Sequence, residues 1–348
     1  FGTQLKALGN HNLKWETTNK LNMGTDLQFW HERISLNFDY YYNKTVDLIT
    51  DVSLPASAGF TSYKDNLGET LNKGFDIQVR FDVYKDKDWN VSLWGNLNHN
   101  RNEILKISDA LRAYNQRVNE KYEAAENAQG NVHLSEWGSE YSEPEMKYEE
   151  GASLTSIFAI RSLGIDPMTG NELFLYRDGS VSSLWKATET VRVGDEEPKA
   201  SGSFGVNLTY KNLTLFASFA YDWGKQTYNQ TLVDGVENAD IENSNVDRRV
   251  LTQRWQKPGD IAPLRNIKDM NTSTMPTSRF VQDDNELSLS ALTLSYDFNT
   301  DWLKKIRLKM LRLELSTNDL FRASTVRLER GTSYPFARTF NFSLRATF

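Results

Sequence analysis

The sequence has no cysteine among its 348 residues, which removes disulfide frameworks, thiolate metal sites and thiol redox chemistry. Proline is scarce at 8 and glycine numbers 20, so collagen-like and low-complexity disordered classes are excluded as well. No stretch approaches the roughly 18 uncharged apolar residues of a spanning helix, which excludes a helical membrane protein. Basic clusters are missing too: a formal net charge of −6 and a pI near 5.5 leave no electrostatic footprint for a nucleic-acid partner. The four histidines, His11, His31, His99 and His133, are far apart and lack the spacing of a zinc site, so no catalytic residue, metal or cofactor is expected. Nucleotide-binding glycine loops and nucleophile elbows are absent, and Gly202-Ser203-Phe204-Gly205 reads as the start of a strand. The chain opens on Phe1 with no initiator Met and no apolar leader, from which a piece of a longer protein is expected.

What the chain has is aromatic content, 12% of residues, set in a period of two. Side chains on a strand alternate faces, so such a period marks β-structure. From Ile34 one face reads Ile34, Leu36, Phe38, Tyr40, Tyr42 and the other Ser35, Asn37, Asp39. The pattern returns with Phe75, Ile77, Val79, Phe81 against Asp76, Gln78, Arg80, and with Trp89, Val91, Leu93, Leu97 against Asn90, Ser92, Asn96, Asn98. It recurs over 203–210 and 213–223, and closes with Phe340, Phe342, Leu344, Ala346, Phe348. A less uniform strand is expected over about 20–30. Two more slip phase, at Ala291 to Leu292 and at Met310 to Leu311, where a β-bulge in each would restore the faces.

Connections between these strands alternate in length. Those at 31–33, 85–88, 211–212 and 299–304 are short, whereas 44–72, 101–199, 225–283 and 319–336 are far longer than a compact soluble domain tolerates. Short turns at one end and long loops at the other, with one apolar and one polar face, describe a transmembrane antiparallel β-barrel with long extracellular loops. Only a closed sheet satisfies backbone groups facing lipid. Aromatic residues near strand ends (Trp30, Tyr40 to Tyr42, Trp89, Trp223, Phe298, Trp302) fit interfacial girdles. About nine strands are expected; an odd number does not close a bacterial barrel, so further strands are expected upstream.

Several segments carry a family resemblance. They include Asn12-Leu13-Lys14-Trp15-Glu16-Thr17-Thr18, Asp39-Tyr40-Tyr41-Tyr42-Asn43-Lys44-Thr45-Val46-Asp47 and Asn72-Lys73-Gly74-Phe75. Later come Arg161-Ser162-Leu163-Gly164-Ile165-Asp166-Pro167 with Thr169-Gly170, Arg254-Trp255-Gln256-Lys257-Pro258-Gly259-Asp260, Asn318-Asp319-Leu320-Phe321 and Tyr334-Pro335-Phe336-Ala337-Arg338. In this order, over nearly the whole chain, they resemble the SusC/RagA family of TonB-dependent outer-membrane transporters from Bacteroidetes-type bacteria. The resemblance implies that residues 1–348 are the all-β C-terminal part of a barrel of about 22 strands. It also implies a plug and a TonB-contacting segment outside these residues, and a SusD-like surface lipoprotein as partner. The expected activity is TonB-energised import of an oligosaccharide or an oligopeptide, the glycan preferred. Rival readings are a siderophore or cobalamin receptor and, from another class, a secreted all-β carbohydrate-binding protein or glycosidase.

The loop 101–199 gathers aromatic residues among acids such as Glu136, Glu140, Glu143 and Glu145. Trp137, Tyr141, Tyr148 and Trp185 are candidate substrate contacts, since aromatic faces stack on sugar rings or peptide side chains. The competing reading packs the same residues within the loop or against a lipoprotein lid. Residues 109–128 suit a short surface helix. No Asp-x-Asp-x-Asp-Gly loop for Ca²⁺ occurs. The turns at Asp166-Pro167 and Arg177-Asp178-Gly179 read as structural. Terminal Phe348, with the aromatic face before it, resembles the signal by which outer-membrane barrels are recognised for assembly.

Overall fold

Alternating residues build one long sheet. The computed structural model describes residues 8–53, 60, 62–66, 68–128, 141–241, 245–266, 273–298, 303, 307–327 and 338–348. Trp137, Glu136, Glu140, Trp302, Ile306 and the segment Tyr334–Ala337 lie outside the described residues, while 307–309, expected to be strand, form a turn and bend before Met310. Strands β1 (Thr17–Phe29) and β2 (Ile34–Val46) open the sheet, and a separate hairpin of β3 (Ile49–Ser53) and β4 (Ser62–Asn66) follows. The sheet continues through β5 (Gly68–Lys85) and β6 (Trp89–Ile107). The chain then leaves it for helix α1 (Asp109–Ala128) and five short strands: β7 (Ser156–Ala159), β8 (Arg161–Ile165), β9 (Glu172–Leu175), β10 (Val181–Ser182) and β11 (Val191–Asp195). It returns as β12 (Ala200–Tyr210) and β13 (Leu213–Tyr228), then β14 (Val281–Phe298), β15 (Met310–Asn318), the short β16 (Arg322–Ser324) and β17 (Thr339–Thr347).

The order β1-β2-β5-β6-β12-β13-β14-β15-β17 is an antiparallel meander of nine neighbours, with β16 paired to β14. The weakly patterned first strand is a full member, paired with β2 from Thr17↔Val46 to Phe29↔Ile34. Short turns sit where the sequence places them. Lys211, at φ 52°, turns the chain between the paired Tyr210 and Leu213, and Trp30, His31 and Glu32 all adopt positive φ between β1 and β2. Backbone of this hand matches the twist of the strands it joins.

The faces separate as the alternation requires. Leu21, Met23, Phe38, Val79, Leu93, Phe204, Leu315, Phe342 and Leu344 are all exposed on one face. The other is a polar ladder: Asn98 donates to Asp76 at 2.6 Å, Asn96 to Ser203 at 2.9 Å, Asn102 to Asn72 at 2.7 Å and Tyr41 to Asn100 at 2.9 Å. Tyr41 therefore leaves the girdle, with Tyr40 and Tyr42 on the opposite face.

One of the two expected bulges is present. Ala291 pairs with Ser218 and Leu289 with Phe219, which leaves Ser290 as the extra residue. Its hydroxyl donates to the Ser218 carbonyl at 2.9 Å, satisfying a group that the interrupted ladder leaves open. The second slip needs no bulge within the described strand, because β15 begins at Met310 and its register with β14 and β17 is unbroken.

Four strands stand well above the rest, β5, β6, β13 and β14 having 18, 19, 16 and 18 residues against 13 in β1 and β2. Above Phe75 and His99 the chain still pairs, Lys73 with Arg101 and Asn72 with Asn102, polar on both faces, and higher still Leu71, Ile104 and Ile107 are buried, so the period of two is lost from the sequence.

Candidate functional site

Two surfaces carry chemistry: the polar face of the sheet and the assembly of long loops at its tall end. On the polar face Trp94 breaks the run of small and amide side chains. Its indole lies parallel to Phe216, with ring centroids 6.3 Å apart and an interplanar angle of 7°. Gly205, paired with Trp94, makes this possible, since a Cβ there would lie 2.7 Å from the indole. Around the ring a trough of about 630 Å³ is lined by Asn37, Gln78, Arg80, Ser92, Asn96 and Asn207. Sequence reasoning passed over Trp94; the signal was there, an aromatic residue in phase with Asn90, Ser92, Asn96 and Asn98.

The loop assembly is built like a small soluble domain. Val118, Tyr122 and Ala125 of α1 pack with Ile160, Phe174, Tyr176, Trp185, Ala187 and Met275. The helix over 109–128 is thus present, but its apolar side is core rather than surface. A second cluster joins Ile104, Ile107 and Leu111 to Leu48, Tyr63, Tyr114, Tyr148 and Leu154. Tyr122 clips the assembly: its hydroxyl donates to the Glu143 carbonyl at 2.6 Å and accepts from the Glu145 N–H at 2.9 Å.

The candidate contacts fall in different places. Trp185 is buried in the first cluster, its ring centroid 5.4 Å from that of Tyr122 and its indole N–H donating to the Pro276 carbonyl at 3.0 Å. Tyr148 is half-buried edge-on to Tyr114 at 5.6 Å, and burial pushes its phenol up. Tyr141 packs at the margin of the first cluster, with the Lys121 ammonium 5.5 Å from its ring centre. The structure brings Tyr141 and Trp185 to one cluster and places Tyr148 in the next. Phe348 is exposed on the apolar face with Phe340 and Phe342.

Two joints tie the loop 101–199 to the loop 225–283. In the first, Arg279 donates to Glu172 at 2.8 Å and to Glu237 at 2.6 Å, with Arg265 3.8 Å from Glu237. Burial alone would raise the Glu237 carboxyl, but the Arg279, Arg265 and Arg254 guanidiniums hold it below its ordinary value. In the second, the turns at Asp166-Pro167 and Trp255-Asp260 dock on each other. The Trp255 indole N–H and the Gly259 N–H both donate to the Pro167 carbonyl at 2.8 Å. Gly170, at φ +77°, lies under the indole, where a Cβ would approach it to 2.5 Å. Read singly these motifs are turns; together they form one joint.

Lys147 is the unusual ionisable group. It is buried, with its ammonium donating to Asn119, Thr190 and the Ala187 carbonyl, and burial, reinforced by Arg177, lowers it to about 8. Among the described residues no group of three or more His, Asp or Glu side chains is arranged to hold a metal.

Comparison with known proteins follows the same line. Residues 1–155 match the family described as TonB dependent receptor-like, beta-barrel. Over its full length the chain is 28% identical to TonB-dependent receptor P3 of Formosa agariphila, of which it covers 36%. TonB-dependent receptor SusC of Bacteroides thetaiotaomicron is 36% identical over 111 residues, 31% of this chain and 11% of the relative. The structure of the RagAB peptide transporter superposes with a TM-score of 0.72 at 24% identity, covering 93% of this chain and 34% of that one, which shows the fold. The chain thus spans about a third of the length of the full-length relatives it matches. Those relatives are receptors, not enzymes, in keeping with the non-enzymatic expectation. By these likenesses the chain is similar to a portion of the β-barrel of TonB-dependent receptors of the SusC/RagA kind, proteins of the bacterial outer membrane.

Proposed function

We propose that this chain forms part of the wall and the extracellular mouth of an outer-membrane importer that is energised by TonB and takes up an oligomeric nutrient together with a SusD-like surface lipoprotein. The observation that carries the reading is the polar face, where amides and hydroxyls surround the Trp94–Phe216 pair. An aromatic shelf ringed by amides suits a sugar ring, which offers an apolar face and a rim of hydroxyls. An oligosaccharide is therefore the first choice of cargo. Peptide remains the second, favoured by the likeness to a peptide transporter, since backbone amides pair with the same asparagines. Tyr141 and Tyr148 at the mouth are proposed cargo contacts, with Trp185 supporting them from the core, and Trp137 of the same loop is proposed as a further contact. The apolar face ending in Phe348 is the proposed assembly signal.

The test is purification of the full-length parent from outer membranes in mild detergent, with mass spectrometry of the protein and small molecules that accompany it. A lipoprotein and a bound oligosaccharide are expected. Bound peptide would transfer the cargo assignment to the second choice, and a siderophore or cobalamin would refute both.

A further inference from the structure

The outward face of the wall has its own chemistry above the apolar band. Trp89 and His99 on β6, Tyr210 and Ala200 on β12, and Leu213 and Trp223 on β13 are each ten residues apart. At about 3.4 Å per residue and a tilt of about 45°, ten residues rise roughly 24 Å along the membrane normal, the height of a lipid-facing band. Within it the outward positions are Val91, Leu93, Gly95 and Leu97 on β6 and Gly202, Phe204, Val206 and Leu208 on β12, none of them ionisable. Aromatic pairs mark both limits. Trp89 and Tyr210 lie 4.3 Å apart at the lower rim, and Phe75 and His99 lie 5.2 Å apart at the upper, where Trp223 is 64% exposed.

Directly above the upper row, the register sets Tyr42, Lys73 and Arg101 side by side on three adjacent strands. Lys199 stands at the same level before β12, its carbonyl hydrogen-bonded to His99. The first ionisable outward side chain beyond the band is thus basic on three neighbouring elements, with strands about 4.8 Å apart. Arg101 approaches Glu103 at 3.5 Å yet stays 62% exposed, and Lys73 and Lys199 have no carboxylate partner among the described residues. Beside them, where β12 has ended, a groove of about 430 Å³ is lined by His99, Arg101, Lys199 and Trp223. The carboxylates on its inner wall are already engaged: Asp195 by the hydroxyls of Ser153 and Thr155, Glu197 by Asn100 and the Asn102 N–H, and Asp283 by Gln226.

We propose that this strip binds the phosphate groups of an anionic lipid headgroup in the outer leaflet. The acyl chains lie along the apolar band, the headgroup rests against His99 and Trp223, and Lys73, Arg101 and Lys199 hold its phosphates. Membrane placement is all that this requires; it does not depend on which cargo is imported.

The test uses the full-length parent in detergent, titrated with bis-phosphorylated lipid A and with the same lipid after dephosphorylation, and native mass spectrometry to count retained lipid. Preferential retention of the phosphorylated form is expected, weakening with salt. Each of Lys73→Gln, Arg101→Gln and Lys199→Gln should weaken it about fivefold, whereas Lys87→Gln at the opposite rim should not. Heat-modifiable migration on gels confirms that each variant is folded. Equal retention of both lipid forms, or single variants that all retain lipid as the parent does, would overturn the proposal and leave these cations as nonspecific membrane anchors.

Discussion

The wall and the mouth of this molecule obey opposite burial rules. In the sheet, the large hydrophobic side chains are the exposed ones: Phe342 is 70% accessible and Met23 59%. In the loop assembly, Tyr122 is 2% accessible and Ile160 wholly buried. Both segments use the same residue types, so composition does not tell them apart; the solvent does. A residue facing lipid gains nothing by turning inward, whereas a loop above the membrane must bury its apolar surface or fail to order. The mouth is therefore a water-soluble fold mounted on a lipid-soluble one, and the two should respond differently to the same kind of damage.

The largest separation is expected from Arg279→Met. Glu172 and Glu237 would be left buried without their shared cation, at a cost of about 3–5 kcal/mol. Limited proteolysis of the full-length parent should show faster cutting within 141–280, while heat-modifiable migration of the barrel stays unchanged. Loss of barrel stability to the same degree would mean that mouth and wall are one cooperative unit.

Leu93→Arg strikes the wall instead. Leu93 lies near the middle of the apolar band, and a charge there should cost about 2–4 kcal/mol in bilayer-based unfolding. Asp82→Leu, on the polar face, should leave insertion nearly intact. If Asp82→Leu disrupted insertion as strongly as Leu93→Arg, the assignment of faces would be wrong.

How much of this was legible in the sequence differs between the two regions for the same reason. The wall has one variable, which side faces lipid, and a period of two writes it into the chain. The nine strands, the turns at 31–33, 85–88 and 211–212 and a bulge near Ala291 could be read from it. The upper parts of β5 and β6 could not, because lipid no longer sets the faces there: Asn72, Lys73, Arg101 and Asn102 carry no contrast, and Ile104 and Ile107 are buried by contacts from the loops. Nor could the joints. Glu172 and Glu237 meet Arg279 across 107 and 42 residues, and nothing local to any of the three announces it. The Trp255 turn and the Asp166 turn were each visible, but their docking was not. Among the candidate contacts, the sequence supplied aromatic loop residues without the tertiary information that separates Trp185 in the core from Tyr141 at its margin.

A finer comparison lies within the mouth. Gly170→Ala and Gly179→Ala both force an L side chain into positive φ, at +77° and +85°, but only Gly170 has the Trp255 indole in the way. The shared backbone strain is worth about 1 kcal/mol. The added overlap at Gly170 should cost about 1–3 kcal/mol more, read in the local opening of 166–170 and 254–260 by hydrogen exchange. Equal effects would show that the indole moves aside at little cost and that the joint is loose.

The smallest expected effect is a pH dependence that the wall should lack. Lys147 titrates at about 8 in the folded mouth, against an ordinary value of 10.5, because burial disfavours its charge. Between those values the opened mouth binds more protons than the folded one, so stability rises with pH over that window, and below pH 8 the full penalty of the buried ammonium is present. Tyr114 acts in the opposite sense: burial pushes its phenol up to about 12, so the opened form loses its proton first and stability falls as pH rises past 10. Resistance of the mouth to a protease active at alkaline pH should therefore climb from pH 8 to a maximum near 10 and then decline, with a rise on the order of 1 kcal/mol. Lys147→Met should remove the rise and keep the decline, and Tyr114→Phe should keep the rise and soften the decline, since the buried phenols of Tyr122 and Tyr148 act in the same sense. A rise that persists in Lys147→Met would assign it to another group and leave Lys147 without a part in it.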